Sequence, residues 1–346
     1  MSLTTPLDPA TSVCDDIVIG QLTTALLTAP ALLVAHEIGL FAALEQEMRS
    51  SHEVAASLSL RERAADALLL TSVAAGLLER RGEKYALSDV GRAYLVRSAP
   101  TSWCGYLDYL AANPQLISYT DVRTALLNDA PRLPEGQELF EINRQDSERA
   151  ERFTRWMHSV AVGPSRAWPG AVDLSQAQRL LDVAGGSGAH AIGAAQRWPQ
   201  LAVTMLDLPN VCRLAEEYIS QAELSERVVC QAADMWRDPY PESDAHFYSQ
   251  IFHDWSRAEC RELARKSWAS LPPGGLVIVH EVLYDDDKRG PLRAASVNVL
   301  MSLLYARGQQ YSGAELGEFL SQAGFIDVRW QRTWGYWGIA VGRKPN

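Results

Sequence analysis

The segment Leu180-Leu181-Asp182-Val183-Ala184-Gly185-Gly186-Ser187-Gly188-Ala189-His190 restricts the fold more than any other stretch of the chain. An apolar run ends in a cluster of glycines and gives way to residues that suit a helix. Strand, bare-backbone turn and helix in that order open a βαβ unit, and the turn lets a polar ligand group approach the main chain. The sequence beyond about Met157 continues the pattern. Apolar runs at 179–183, 202–206, 227–232, 245–252 and 276–283 alternate with helical segments, which predicts an α/β fold with a doubly wound, Rossmann-like parallel sheet. Two further strand-like runs, 325–333 and 336–343, are joined by Trp334-Gly335 and predict a terminal antiparallel hairpin on that sheet.

The first hundred residues have a different grammar. Residues 15–95 show helical periodicity and a single hairpin signal. Ser51 is placed to cap a short helix over 52–58, and a longer helix over 61–75 is closed by Gly76. Gly82-Glu83 forms a turn between two short strands, and Ser88 caps the next helix. The unit, taken as 1–105, is read as an all-α, winged-helix-like domain ahead of a second domain at 106–346. Between them, 103–158 is mixed helix and loop, with Pro131-Arg132-Leu133-Pro134-Glu135-Gly136 as its least ordered stretch.

Charge decides what such a domain can bind. The 346 residues carry 32 Lys+Arg against 42 Asp+Glu, a formal charge of -10, and residues 1–100 hold eight basic against twelve acidic side chains. The would-be recognition helix is apolar after its first turn, so it offers neither base-edge donors nor phosphate-binding cations. Nucleic acid and anionic membrane are excluded as partners. An apolar helical unit without a basic face is expected to bury its surface in a subunit interface. Residues 24–44 are apolar enough to raise a membrane question, but Pro30 and His36-Glu37 oppose a spanning helix, and a buried helix with a break is expected. The N-terminus lacks a basic and then apolar leader, and the five cysteines form no C-x-x-C pair. Neither a signal peptide, a disulfide framework nor a zinc site is expected, and the chain is read as soluble and cytoplasmic.

Gly186-x-Gly188-x-x-Ala191 satisfies the dinucleotide fingerprint, and Asp207 follows Gly188 at the distance of a ribose-binding acid. Three features favour S-adenosylmethionine over a nicotinamide. Asp182 lies ahead of the glycines, where a carboxylate opposes a pyrophosphate and suits a cationic or amine-bearing ligand. Asp234 ends the next strand, placed for an adenine amino group with Met235 on the ring. The terminal hairpin, finally, is foreign to dinucleotide-binding sheets. For chemistry, His253 in Gln250-Ile251-Phe252-His253-Asp254-Trp255-Ser256 is expected at a strand's carboxyl end, where a near-neutral imidazole can take a proton from a hydroxyl. Glu281 is the candidate to hold that imidazole in one tautomer. Asp254 is read as a loop-fixing residue that can also contact cofactor or substrate.

These motifs, with Asp207-Leu208-Pro209, Pro273-Gly274-Gly275 and Ala323-Gly324-Phe325, resemble the small-molecule O-methyltransferases of the plant caffeate type and their bacterial antibiotic-pathway relatives. The resemblance covers nearly the whole chain. It implies a class I methyltransferase domain, a winged-helix-like dimerisation domain and a homodimer. It implies S-adenosylmethionine as cofactor, S-adenosylhomocysteine as product and a small aromatic secondary metabolite as acceptor. Carried over by position, Asp182, Gly185, Gly186, Gly188, Asp207, Asp234 and Met235 contact the cofactor, and Ser249 stands where many members have lysine. His253 falls on the catalytic base and Glu281 on its orienting carboxylate, with no metal. Phe153, Trp156 and Met157 resemble residues that close over cofactor and acceptor; Asn298, Met301, Ser302 and Tyr305 lie on the helix that lines the acceptor pocket. One departure stands out: Gln310, in Gly308-Gln309-Gln310-Tyr311-Ser312, replaces a family acid that supports the base, and is read as a sign of altered acceptor chemistry. Two other readings remain open: C-methylation of an α-keto acid at a metal held by the His-Asp pair and a later histidine, for which only His280 follows, and a non-methylating S-adenosylmethionine-binding catalyst or regulator.

Overall fold

The computed structural model describes residues 15–114, 116, 118–131 and 146–346. Cys14 and the 132–136 part of the expected loop lie outside the described residues. The chain divides into two compact units between Leu107 and Asp108.

The first unit begins with α1 (Ile17–Glu37) and α2 (Leu40–Ala43), followed by α3 (Ser51–Ser57) and α4 (Glu62–Ala74). It is not purely helical. The expected hairpin, β2 (Leu78–Arg81) and β3 (Lys84–Leu87), gains a short third strand, β1 (Arg49–Ser50), in the order β1-β3-β2. Gly82 turns the hairpin at φ 61°, and Ser88 caps α5 (Asp89–Tyr94) by accepting from Gly91 N–H. The cap of α3 is Ser50 rather than Ser51: Ser50 Oγ accepts from Glu53 N–H and the Glu53 carboxylate returns to Ser50 N–H, a complete capping box. A core of Leu40, Phe41, Leu44, Val54, Leu69 and Leu87 joins these elements.

α1 departs from expectation twice. It runs unbroken through Pro30 and stops at Gly39, whose φ of 82° suits a glycine. It is also largely exposed, with Leu26 at 74% and Leu27 at 78%. The carbonyl that the proline nitrogen cannot serve belongs to Leu26, which is exposed in the single chain. Among the described residues α1 is the one helix long and apolar enough to cross a membrane.

The second unit starts within α6 (Cys104–Ala112) and continues with α7 (Tyr119–Asn128) and α8 (Ser147–Ala167). Its sheet comprises β4 (Arg179–Val183), β5 (Ala202–Asp207), β6 (Val228–Ala232), β7 (Ala245–Ser249), β8 (Leu276–Val282), β9 (Ile326–Trp334) and β10 (Trp337–Arg343). The strand order is β6-β5-β4-β7-β8-β10-β9. The first five strands are parallel, and β10 enters antiparallel between β8 and β9. Between them run α9 (Ala189–Arg197), α10 (Pro209–Gln221), α11 (Arg257–Ser270), α12 (Leu292–Leu304) and α13 (Gly313–Ala323). Trp168, Leu180, Met205 and Phe247 fill one face of the sheet; Leu181, Tyr248, Val279 and Phe319 fill the other. The order reverses at β4, whose neighbours are β5 on one side and β7 on the other, so the crevice beyond the carboxyl ends of β4 and β7 is where a ligand fits such a sheet.

β7 is shorter than the apolar run suggested. Gln250 takes φ 56°, and the chain leaves the sheet for a 3₁₀ turn over Phe252–Asp254. Ile251 and Phe252 are apolar because the turn is buried, packed among Tyr248, Cys260 and Leu263, not because they extend the strand. His253 therefore rides on the turn beyond β7.

Close helix packing beside the crevice gives a stability test. A Cβ at Gly193 in α9 would stand 2.4 Å from the Ser165 carbonyl oxygen of α8, whereas one at Gly170 would meet nothing within 4 Å. Gly193→Ala should lose about 1–3 kcal/mol in denaturant unfolding, and Gly170→Ala should stay within about 0.5 kcal/mol of the parent.

Candidate active site

The glycine loop joins β4 to α9. Ala184 has φ 54°, Gly186 59° and Gly188 75°, so three left-handed positions turn the chain within five residues. Holding a non-glycine such as Ala184 there costs energy, and such strain gathers at functional sites. A Cβ at Gly185 would come within 2.4 Å of Met205 Cγ and 2.8 Å of Asp182 Oδ2, which is why that position must be bare.

Two carboxylates lie under this loop. Asp207, at the end of β5, accepts from Gly186 N–H on Oδ2 at 2.8 Å and from Leu208 N–H on Oδ1 at 2.7 Å. Burial, only partly offset by those two bonds, pushes its pKa up to about 6. Asp182 is 1% exposed and its Oδ2 has no hydrogen-bond partner among the described residues. Burial, then the Asp207 charge, against one bond from Ala191 N–H, push it up to about 7. A buried carboxylate oxygen with nothing to accept from, beside a second raised carboxylate, is a site built to receive a cation or a donor. The chemistry of this pair therefore fits an amine- or sulfonium-bearing ligand and disfavours a pyrophosphate.

The remaining residues read as cofactor contacts have structural partners as well. Asp234, just past β6, makes a local turn by accepting from Trp236 N–H on Oδ1 at 2.9 Å, and the Lys266 ammonium donates to the carbonyls of Met235 and Asp238. Ser249 Oγ lies 2.9 Å from His280 Nδ1. His280 is fully buried and stacks on Trp337 on the face of β8 opposite Glu281. On α8, His158 stacks on Tyr218 with ring centroids 3.8 Å apart and lies 2.9 Å from Ser187 Oγ in the glycine loop. Burial, then nearby Arg155, lower its pKa to about 4, so it is neutral. Nothing in the sequence motifs marked His158; the only signal was its place one residue beyond Met157.

His253 is surrounded by acceptors. Its Nδ1 lies 3.1 Å from Gln310 Oε1 and 3.4 Å from Glu281 Oε2, and its Nε2 lies 3.4 Å from Asp254 Oδ1. Glu281 is fully buried. Its Oε1 accepts from the backbone N–H groups of Ile251 at 3.0 Å and His253 at 3.4 Å, so one carboxylate holds both the turn and the ring. Burial presses the His253 pKa down, but the Glu281 and Asp254 charges, with the Gln310 and Gln250 acceptors, outweigh it and raise the value. Glu281 is itself raised by burial, which its contact with His253 and the backbone donors only partly offsets.

The helix residues expected around an acceptor divide into two groups. Asn298 accepts from Gln310 N–H on Oδ1 at 2.7 Å, and Ser302 Oγ donates to the Asn298 carbonyl at 3.3 Å. Tyr305 and Met301 are buried. Gly308 fits tightly, since a Cβ there would stand 2.8 Å from the His253 carbonyl oxygen and 3.0 Å from Tyr305 Cβ. The end of α12 is thereby tied to the His253 turn. On α8, Trp156 is buried and stacks on Tyr109 at 4.5 Å, with Phe153 edge-on to it at 5.3 Å; Met157 is partly buried. Among the described residues no group of His, Cys, Asp and Glu has the arrangement of a metal site, and Cys104, Cys212, Cys230 and Cys260 are free thiols.

Comparison with known proteins agrees with this geometry. Residues 129–326 match the model of the O-methyltransferase domain. The chain is 36% identical over 332 residues to 3-hydroxy-5-methyl-1-naphthoate 3-O-methyltransferase of Streptomyces sahachiroi, covering 94% of each chain. It is 30% identical to the tetracenomycin polyketide synthesis 8-O-methyl transferase of Streptomyces glaucescens, covering 94% of this chain and 96% of that one. Among solved structures, human N-acetylserotonin methyltransferase in complex with S-adenosylmethionine superimposes with a TM-score of 0.85 at 26% identity, over 97% of this chain and 99% of that one.

The unpartnered carboxylate carries a measurable cost. The folded pKa of Asp182, about 7, stands above its ordinary 3.8, so across that window the folded chain holds a proton that the unfolded chain has released. Stability contributed by this group falls as pH rises through the window, and the penalty is complete above it. Asp182→Asn should therefore raise the stability of the ligand-free protein at pH 8 by on the order of 1–3 kcal/mol. It should also flatten the decline toward neutral pH, as read by thermal melts over a pH series.

Proposed function

Because the chain belongs to the family of S-adenosylmethionine-dependent O-methyltransferases, we propose that it methylates a hydroxyl of a small aromatic secondary metabolite, with His253 as general base. The observation that carries this reading is the setting of His253: Nδ1 lies 3.1 Å from Gln310 Oε1 and 3.4 Å from Glu281 Oε2, while Nε2 lies 3.4 Å from Asp254 Oδ1. Such a ring keeps one proton fixed and has a second nitrogen available to accept another.

Asp182, Gly185, Gly186, Gly188, Asp207, Asp234, Met235 and Ser249 are the residues that would hold S-adenosylmethionine. When bound, it supplies a methyl group on a sulfonium, which leaves as a neutral thioether and needs no metal. The protein does the rest. His253 Nε2 takes the hydroxyl proton, Glu281 stabilises the imidazolium that results, and Glu281 Oε1 keeps the turn in place while the charge changes. Phe153, Trp156, Met157, Asp254, Asn298, Met301, Ser302 and Tyr305 are assigned to acceptor binding, Asn298 acting through the loop it holds. A hydroxynaphthoate is the acceptor named for one relative, and that class is carried over here; the ring cluster of Tyr109, Phe153 and Trp156 supports an aromatic guest.

The first unit is assigned to dimerisation. Ile17, Val18, Leu22, Leu26 and Leu27 are each more than half exposed on α1, and a second copy of the chain is the occupant that fits a family of this kind. On this reading α1 belongs to a subunit interface and not to a bilayer. Light scattering after gel filtration should give twice the 38.2 kDa chain mass, and Leu26→Asp with Leu27→Asp should give the monomer.

The decisive experiment supplies S-adenosylmethionine and 3-hydroxy-5-methyl-1-naphthoate and follows the methyl ether by mass spectrometry. His253→Ala should lose roughly 10²–10⁴-fold in kcat while S-adenosylmethionine still binds by calorimetry. Undiminished turnover would falsify the base assignment. Since the His253 pKa is raised and the neutral ring is the active form, kcat/KM should climb with pH through a value above that of an ordinary histidine.

A further inference from the structure

Gln310 was read as a sign of altered acceptor chemistry, and its hydrogen bonds give it a more definite task. The side chain is buried, 3% exposed, and its amide is fixed at both ends. Nε2 donates to the Val282 carbonyl and Oε1 lies 3.1 Å from His253 Nδ1. A backbone carbonyl can only accept, so the nitrogen end must face Val282 and the oxygen end must face the ring. That oxygen in turn can only accept, so His253 Nδ1 must be the donor.

The surroundings hold the amide in this orientation. Asn298 Oδ1 accepts from Gln310 N–H at 2.7 Å. Tyr284, just beyond β8, donates its N–H to the Tyr311 carbonyl at 3.1 Å and forms a parallel bridge with Ser312. The segment carrying Gln310 is thus tied to α12 on one side and to the continuation of β8 on the other.

Resting on the reading of His253 as the base, we propose that Gln310 is a positioning residue that locks the neutral imidazole as the Nδ1–H tautomer and so makes Nε2 the proton-accepting atom. The Gln310 contact is the shortest that the ring makes to a side chain. Glu281 Oε2 from β8 lies 3.4 Å from Nδ1, Asp254 Oδ1 lies equally far from Nε2 and competes for the proton there, and the Gln250 carbonyl is a further acceptor, so the well-formed bond to Gln310 decides between the two nitrogens. The Cys260 thiol of α11 points elsewhere, donating to the Phe252 carbonyl at 3.1 Å, and burial keeps it protonated. A glutamine does for the tautomer what a carboxylate would do, without placing a third negative charge against the ring.

The test reads the ring directly in the free protein. In protein labelled with ring-¹⁵N histidine, the His253 signals are identified by their loss in His253→Asn, and the tautomer is read at a pH above the ring's own pKa. The wild type should show Nδ1–H. Gln310→Met, which fills the space but accepts nothing, should shift the tautomer ratio roughly fivefold toward Nε2–H, the effect of one buried hydrogen bond. Gln310→Glu presents an acceptor oxygen in either protonation state and should restore the Nδ1–H ring; a merely space-filling role would not separate these two variants. An Nε2–H ring in the wild type, or an unchanged ratio in Gln310→Met, overturns the proposal. Turnover that survives His253→Ala overturns the base assignment alone and leaves the tautomer result standing.

Discussion

The site depends on one carboxylate that performs two jobs with its two oxygens. Glu281 Oε1 gathers the backbone N–H groups of Ile251 and His253, and Oε2 faces the His253 ring. The first contact determines where the turn lies; the second determines what the ring does. A fully buried charge is costly on its own, and only a set of aligned donors together with a cationic or hydrogen-bonding partner compensates for it. The turn conformation, the left-handed Gln250 and the chemistry of His253 are therefore one problem with one solution.

The opposite arrangement obtains under the glycine loop. Each acid has one oxygen without a hydrogen-bond partner among the described residues, but Glu281 Oε2 lies 3.4 Å from an imidazole that can carry a positive charge, whereas Asp182 faces Asp207, whose charge adds repulsion. The same fold thus carries one buried acid beside an imidazole and one beside a second acid, both at the carboxyl ends of strands in a single sheet. The first belongs to the permanent architecture. The second is stabilised only when something positive or hydrogen-bond-donating arrives, which ties ligand affinity to the protein's own charge state.

What could be read from residues alone follows a physical boundary. The strands, the glycine loop and the terminal hairpin were legible because periodicity and glycine placement are local properties. Errors came where two local signals compete, as with Ser50 and Ser51, both able to cap, or where burial mimics strand character, as in Ile251 and Phe252. α1 was misread because a proline disfavours a helix without always ending it, and exposure is not written in the helix itself. Within the site, His253 and Glu281 stood out by type and position. Gln310 stood out only as a departure from a family acid; its hydrogen bonds could not be read, because they come from partners on β8, on α12 and in the turn after β7, and a neutral amide carries no mark of that assembly. The part Asn298 plays in holding this loop was hidden for the same reason: its side-chain oxygen serves a backbone N–H twelve residues on.

The antiparallel insertion of β10 between β8 and β9 has a consequence for how the catalytic half comes into being. β8 carries Glu281, and Glu281 is paired in register with Gly338. Until the chain has passed through α12, α13 and β9, β8 is the outer edge of a parallel sheet, and the strand that carries Glu281 is unpaired on one side. β9 cannot cover it, since β9 pairs with β10 and not with β8. Contacts of such long sequence separation form late. The strand that carries Glu281 accordingly receives its last neighbour from the end of the chain, and a partly folded sheet could hold a finished glycine loop while β8 is still unpaired on that side.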